Sequence, residues 1–135
     1  MTAHVLGSPN AVSPFNKIIA STSDFNRAIT AVKSDSSQLP GVTVCFFGIY
    51  SHPASPCGTI EATGISGTLV RADGQSLSLA NQVQMSKTAG GPVYALNTAF
   101  GITSSINASN GHMVYSRIGN VGSDLGINIC ITSAC

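Results

Sequence analysis

The chain has 135 residues and a mass of 13.7 kDa, the size of one domain, and residues 1–135 are read as one. Only 8% of the residues are charged, against about 25% in an ordinary soluble domain. The scattered basic residues and a net charge of +1 disfavour nucleic acid and acidic membranes as partners. With 43% hydrophobic residues the chain is not of the disordered class, and its longest apolar run, 42–50, is about half of what a membrane-spanning helix needs.

Ser13 followed by Pro14 reads as an N-cap and first helical position. Phe15, Ile18, Ile19, Thr22, Phe25, Ile29 and Val32 then fall on one side of a helical wheel. The spacing predicts one amphipathic helix over about 14–35, or a shorter one capped within residues 21–24, stopped in either case by Pro40-Gly41. The next segment, 42–50, is apolar on both alternating faces and reads as a central strand. Residues 52–58 read as a loop. Asp73-Gly74 lies between two extended segments, 65–72 and 75–85, and signals a hairpin that sets Val70 opposite Leu77 and Thr68 opposite Leu79. A break at 88–92 precedes strands at 93–97 and 99–106. Asn110-Gly111 signals a second hairpin in which Ile106 faces Tyr115, and 125–132 reads as a last strand. The expected fold class is α+β, with one N-terminal amphipathic helix packed on an antiparallel sheet of five to seven strands within about 42–133. The stripe Phe15, Ile18, Phe25, Ile29 and Val32 would face that sheet, or form an assembly surface.

Four cysteines, Cys45, Cys57, Cys130 and Cys135, contain no C-x-x-C pair and favour disulfides over zinc. A tetrahedral set of Cys45, His52, Cys57 and Cys130 matches zinc in ligand type but lacks the usual closely spaced ligand pairs. The expected pairings join Cys45 to Cys57 and Cys130 to Cys135, with a Cys45–Cys130 cross-link as the alternative. Disulfides place the chain in an oxidising, external setting.

The histidines are His4, His52 and His112, and the carboxylates Asp24, Asp35, Glu61, Asp73 and Asp124. A turn accounts for Asp73 and helix ends for Asp24 and Asp35. Glu61 and Asp124 are left without a structural duty, and nothing in the sequence places them together. His52 and Cys57 share a loop, a spacing better suited to a solvated histidine and a disulfide than to a thiolate–imidazole pair. The nucleophile elbow, the Walker loop and the dinucleotide fingerprint are all missing. No catalytic residue, cofactor or metal is therefore expected.

An N-terminal amphipathic helix running into an antiparallel sheet, low charge, abundant small hydroxyl residues and the cysteine-ended tail 126–135 resemble, in layout, the globular part of a type IV pilin or pseudopilin. The hydrophobic helix that opens such proteins is not present. The resemblance implies a non-enzymatic structural subunit of an extracellular, pilin-like filament, partnered by identical or partner subunits. A net charge near zero leaves little repulsion between copies, in keeping with self-assembly. The alternative is a secreted, lectin-like carbohydrate-binding module, which the Asn, Ser and Gly content suits but which lacks a Trp platform.

Overall fold

Alternation, not helical spacing, organises the chain. The computed structural model describes residues 16–21, 23–24, 26–48, 57–70, 72–87, 91–125 and 129–133. Three two-residue strands come first, β1 (Lys17–Ile18), β2 (Arg27–Ala28) and β3 (Ala31–Val32), followed by a 3-10 turn at Asp35–Ser37. Six longer strands follow: β4 (Thr43–Phe46), β5 (Cys57–Val70), β6 (Ser76–Met85), β7 (Pro92–Ala95), β8 (Thr98–Ile106) and β9 (Met113–Arg117). A helix, α1 (Ile118–Leu125), comes after them.

The six longer strands run in the order β8-β7-β4-β5-β6-β9, and β9 pairs back onto β8. Every pairing in this circle is antiparallel, so the sheet is a closed barrel without free edges. β3 is added outside the circle, parallel to β8.

Period-2 alternation fills the interior. Val44 and Phe46 of β4, Val83 and Met85 of β6, and Met113 and Tyr115 of β9 all point inward and join Ile60, Val93 and Phe100 in one core. The residues next to Val93 and Phe100, Tyr94 and Ala99, point outward. There they form a second cluster with Ala20, Ile29 and Ile118. Closure requires β8 and β9 to approach closely at Gly101, where a Cβ atom would lie 2.1 Å from the Ser116 carbonyl oxygen. Gln38, with no solvent exposure, seals one end of the barrel. Its Nε2 donates to the carbonyls of Phe100 (3.0 Å) and Lys33 (3.2 Å), and its Oε1 accepts from the Tyr115 hydroxyl at 2.8 Å.

The α+β architecture expected from sequence is corrected on this evidence. No helix forms in 14–35 among the described residues. β1 and β2 pair as an antiparallel ribbon instead, with Lys17 opposite Ala28, and Ser21 bridges to Asp24. The reason is local. Ile18, Ile19, Thr30 and Val32 are β-branched and lose rotamer freedom in a helix. Ser21, Ser23, Asp24 and Asn26 divert backbone groups to side chains, as when the Ser23 amide donates to Ser21 Oγ at 3.2 Å. The stripe divides accordingly: Ile29 is 4% exposed, Ile18 is half-buried and Val32 is 41% exposed. Phe15 and Phe25 lie outside the described residues.

Both hairpins form, in registers other than those counted. Val70 faces Ser76 and Leu69 faces Leu77, a one-residue slip from the expected pairing. It arises because Asp73 Oδ1 takes the Gln75 amide at 3.0 Å and widens the turn. Ile106 faces Met113. Asn107 and Asn110 accept the amides of Ser109 and His112 at 2.9 Å each and build a longer loop than two residues allow. The last strand expected over 125–132 is replaced by α1 up to Leu125, and 129–133 have no regular structure. The helix buries Ile118 and Val121, and the Gly119 amide at its start donates to Asp35 Oδ1 at 3.3 Å.

Candidate functional site

Where β5, β6 and the β8–β9 loop meet, four polar side chains form a continuous chain. Glu61 projects from β5, Gln84 from β6, and Asn107 and His112 stand at either end of the loop. His112 Nδ1 lies 2.8 Å from Glu61 Oε2. Gln84 Nε2 donates to the same carboxylate oxygen at 2.8 Å, and Asn107 Nδ2 donates to Gln84 Oε1 at 2.7 Å. The hydrogen bonds from His112 and Gln84 hold the Glu61 carboxyl below its usual range. Both members of the ion pair keep about 31% of their side-chain surface in water, so solvent screens their attraction. The pair clasps the loop to β5.

Deeper in the same wall, Gln82 Oε1 accepts from Ser104 Oγ at 2.6 Å and from Ser116 Oγ at 2.8 Å. β6 is irregular just beside it. Pairing steps from Ile65–Gln82 to Gly67–Leu79, so β6 carries one extra residue, and Asn81 takes up that bulge with φ at 57°. Above the bulge lies a cavity of about 270 Å³ between the β5–β6 ribbon and the start of the β8–β9 loop. Ile65, Leu79, Ile106, Ala108 and Val114 supply its apolar surface, and Ser66, Thr68, Gln82, Ser105 and Asn107 its polar groups.

The sequence-derived candidates divide. Glu61, left without a duty, meets His112. Asp24 pairs with Arg27 at 2.8 Å. Cys45 and Cys57, directly opposed across β4 and β5, form a disulfide, so their sulfurs hold no zinc. Cys130 is also disulfide-bonded. Cys135, His4, His52 and the side chain of Asp124 lie outside the described residues. The sequence reading missed Gln82, Gln84 and Asn107. The signal was present: Gln82 and Gln84 alternate with Val83 and Met85 in one strand, and all four are buried. A buried polar row of this kind marks a hydrogen-bonded network.

A carboxylate holding an imidazole is the orienting half of a Ser-His-Asp arrangement. Among the described residues no serine hydroxyl is hydrogen-bonded to the His112 ring.

No family model and no curated protein matches the sequence. Solved structures do match. One is a glutamic acid specific serine protease described as using a novel histidine triad in substrate binding, with a TM-score of 0.65, 17% identity, and coverage of 89% of this chain and 63% of that one. Thermobifida fusca protease A matches with a TM-score of 0.55 and 22% identity over 78% of this chain and 56% of its own. A Cellulomonas bogoriensis chymotrypsin matches with a TM-score of 0.55 and 21% identity over 79% of this chain and 57% of its own. The barrel thus has the fold of the chymotrypsin-like serine proteases, and the chain spans less than two thirds of the length of these three.

This likeness overturns the pilin-like resemblance, and with it the non-enzymatic structural subunit, the filament, the lectin-like alternative and the partnership with identical or partner subunits. Each rested on a helix-on-sheet layout that the chain does not have. The disulfide fits a compartment outside the reducing cytosol, and no helix among the described residues is long and apolar enough to cross a membrane.

Proposed function

We propose that the chain is a secreted, extracellular protein of the serine-protease type, acting on polypeptides, with residues 1–135 as a single domain. The observation that carries the reading is the closed six-stranded antiparallel barrel, shared with three serine proteases at TM-scores of 0.55 to 0.65. The described wall contributes a framework and a clasped loop. Attack on a peptide bond would require a serine activated by a base, drawn from residues beyond those described.

The test uses the whole chain. It is treated with a fluorophosphonate probe, which acylates only activated serines, and in parallel with a mixture of quenched fluorogenic peptides. The reading expects one labelled serine, located by mass spectrometry, and peptide cleavage that disappears when that serine is blocked. A folded sample that neither labels nor cleaves would refute it.

A further inference from the structure

The cavity above the β6 bulge has three properties that together describe an occupant. First, none of its lining residues is charged. Second, the hydroxyls of Ser66 and Thr68 on the ribbon and Ser105 on β8 make no hydrogen bond to protein among the described residues. The amide groups of Gln82 and Asn107 are already engaged. Third, its volume of about 270 Å³ exceeds the roughly 150 Å³ that holds a benzene ring. It therefore has room for a side chain of five or six heavy atoms with water at its mouth.

The bulge contributes to this arrangement. A residue other than glycine with a positive φ costs about 1–3 kcal/mol and persists where its surroundings hold it. Here Arg117 Nη1 donates to Asn81 Oδ1 at 3.1 Å, and Asn120 Nδ2 lies 3.3 Å from the Asn81 carbonyl oxygen. The bulge is thereby anchored from β9 and α1, and the ribbon beyond it is set at a fixed angle to the β8–β9 loop. The opposite wall is fixed by the Glu61–His112–Gln84–Asn107 chain. Both sides of the cavity are held in place by hydrogen bonds, and its open hydroxyls lie between them.

We propose that this cavity receives one uncharged side chain of a bound polypeptide, apolar along its stem and ending in an amide, as glutamine does. The apolar residues cover the stem, and the three hydroxyls, each able to donate and accept, match the amide head. A carboxylate or ammonium would give up water for a site with no counter-charge. The inference rests on the polypeptide reading above only for the source of the side chain.

Gly67 provides the test. It lines the cavity, and a Cβ built there meets no atom within 4 Å, so Gly67→Leu fills the space without displacing protein. The probes are the N-acetyl, N′-methylamide derivatives of glutamine, glutamate and lysine, titrated at pH 7 into isotope-labelled protein and followed by amide chemical shifts. The glutamine probe is expected to shift residues 66–68 and 105–107 saturably. The charged probes and the Gly67→Leu variant are expected to bind at least about tenfold more weakly. Absence of saturable shifts, equal binding of a charged probe, or unchanged binding by a folded Gly67→Leu protein would each overturn the proposal. Binding is read without hydrolysis, so shifts in a protein that labels no serine would sink the protease reading and leave this one standing.

Discussion

Gln38 and Tyr115 form the buried polar contact on which one end of the barrel depends, and their energetics can be worked out from the structure. Tyr115→Phe removes the donor at 2.8 Å and strands Gln38 Oε1 in a site with no solvent exposure, at a cost of about 1–3 kcal/mol. Gln38→Leu strands the Tyr115 hydroxyl and also frees the Phe100 carbonyl, so its cost is larger, about 2–5 kcal/mol. In the double variant the two stranded partners vanish together. The combined loss is expected to fall short of the sum of the single losses by about 1–2 kcal/mol. For a chain of this length each kcal/mol lowers the melting temperature by about 3–4 °C. Urea and thermal unfolding of the four proteins, followed by circular dichroism, give all the terms. A neutral Tyr115→Phe, or losses that simply add, would show that this contact does not stabilise the barrel.

Two further outcomes follow from the same structure. Gly101→Ala sets a methyl against the Ser116 carbonyl oxygen at 2.1 Å and the Tyr115 ring at 2.7 Å and is expected to cost about 3 kcal/mol in urea unfolding. Gly67→Ala, opening onto free space, is expected to stay within about 0.5 kcal/mol of the parent, and equal losses at the two glycines would contradict the closure geometry. Glu61, held below the usual carboxylate range by His112 and Gln84, adds stability that is present above its unfolded value and lost as pH falls through its lower folded one. A carboxyl-resolved NMR titration should show Glu61 ionised below the ordinary value of about 4.3 and moving back toward it in His112→Ala. An ordinary midpoint in the parent protein would refute the clasp.

Much of the strand content is legible in the sequence, because half-buried strands leave period-2 patterns. The strand at 42–50, the Asp73-Gly74 hairpin and the pair of strands before Asn107 can all be read there. Three things cannot. The N-terminal segment imitates a helical stripe because Ile18 and Ile29, 11 positions apart, face the same cluster from two arms of a ribbon. α1 is obscured by Gly119 and Gly122, which lower its helix propensity. The registers depend on Asx bonds inside the turns, which shift the count by one or two residues. For the site, Glu61 stands out in the sequence as a carboxylate without a structural role. Its partner His112 lies 51 positions away and is brought to it only when β6 pairs with both β5 and β9, which no local pattern encodes.

Barrel closure also has a kinetic consequence. The β5–β6 hairpin and the β7–β8–β9 meander are contiguous in sequence and can form from local encounters. The seam between β4 (43–46) and β7 (92–95) joins segments almost fifty residues apart, with the whole ribbon looped out between them. Loop-closure entropy is lost at that seam before any contact across it compensates. Folding should therefore be slow for a chain this small, in the millisecond-to-second range of barrels rich in distant pairings. Until the seam closes, the edges of β4 and β7 remain unpaired, so this intermediate is the species most exposed to aggregation during refolding.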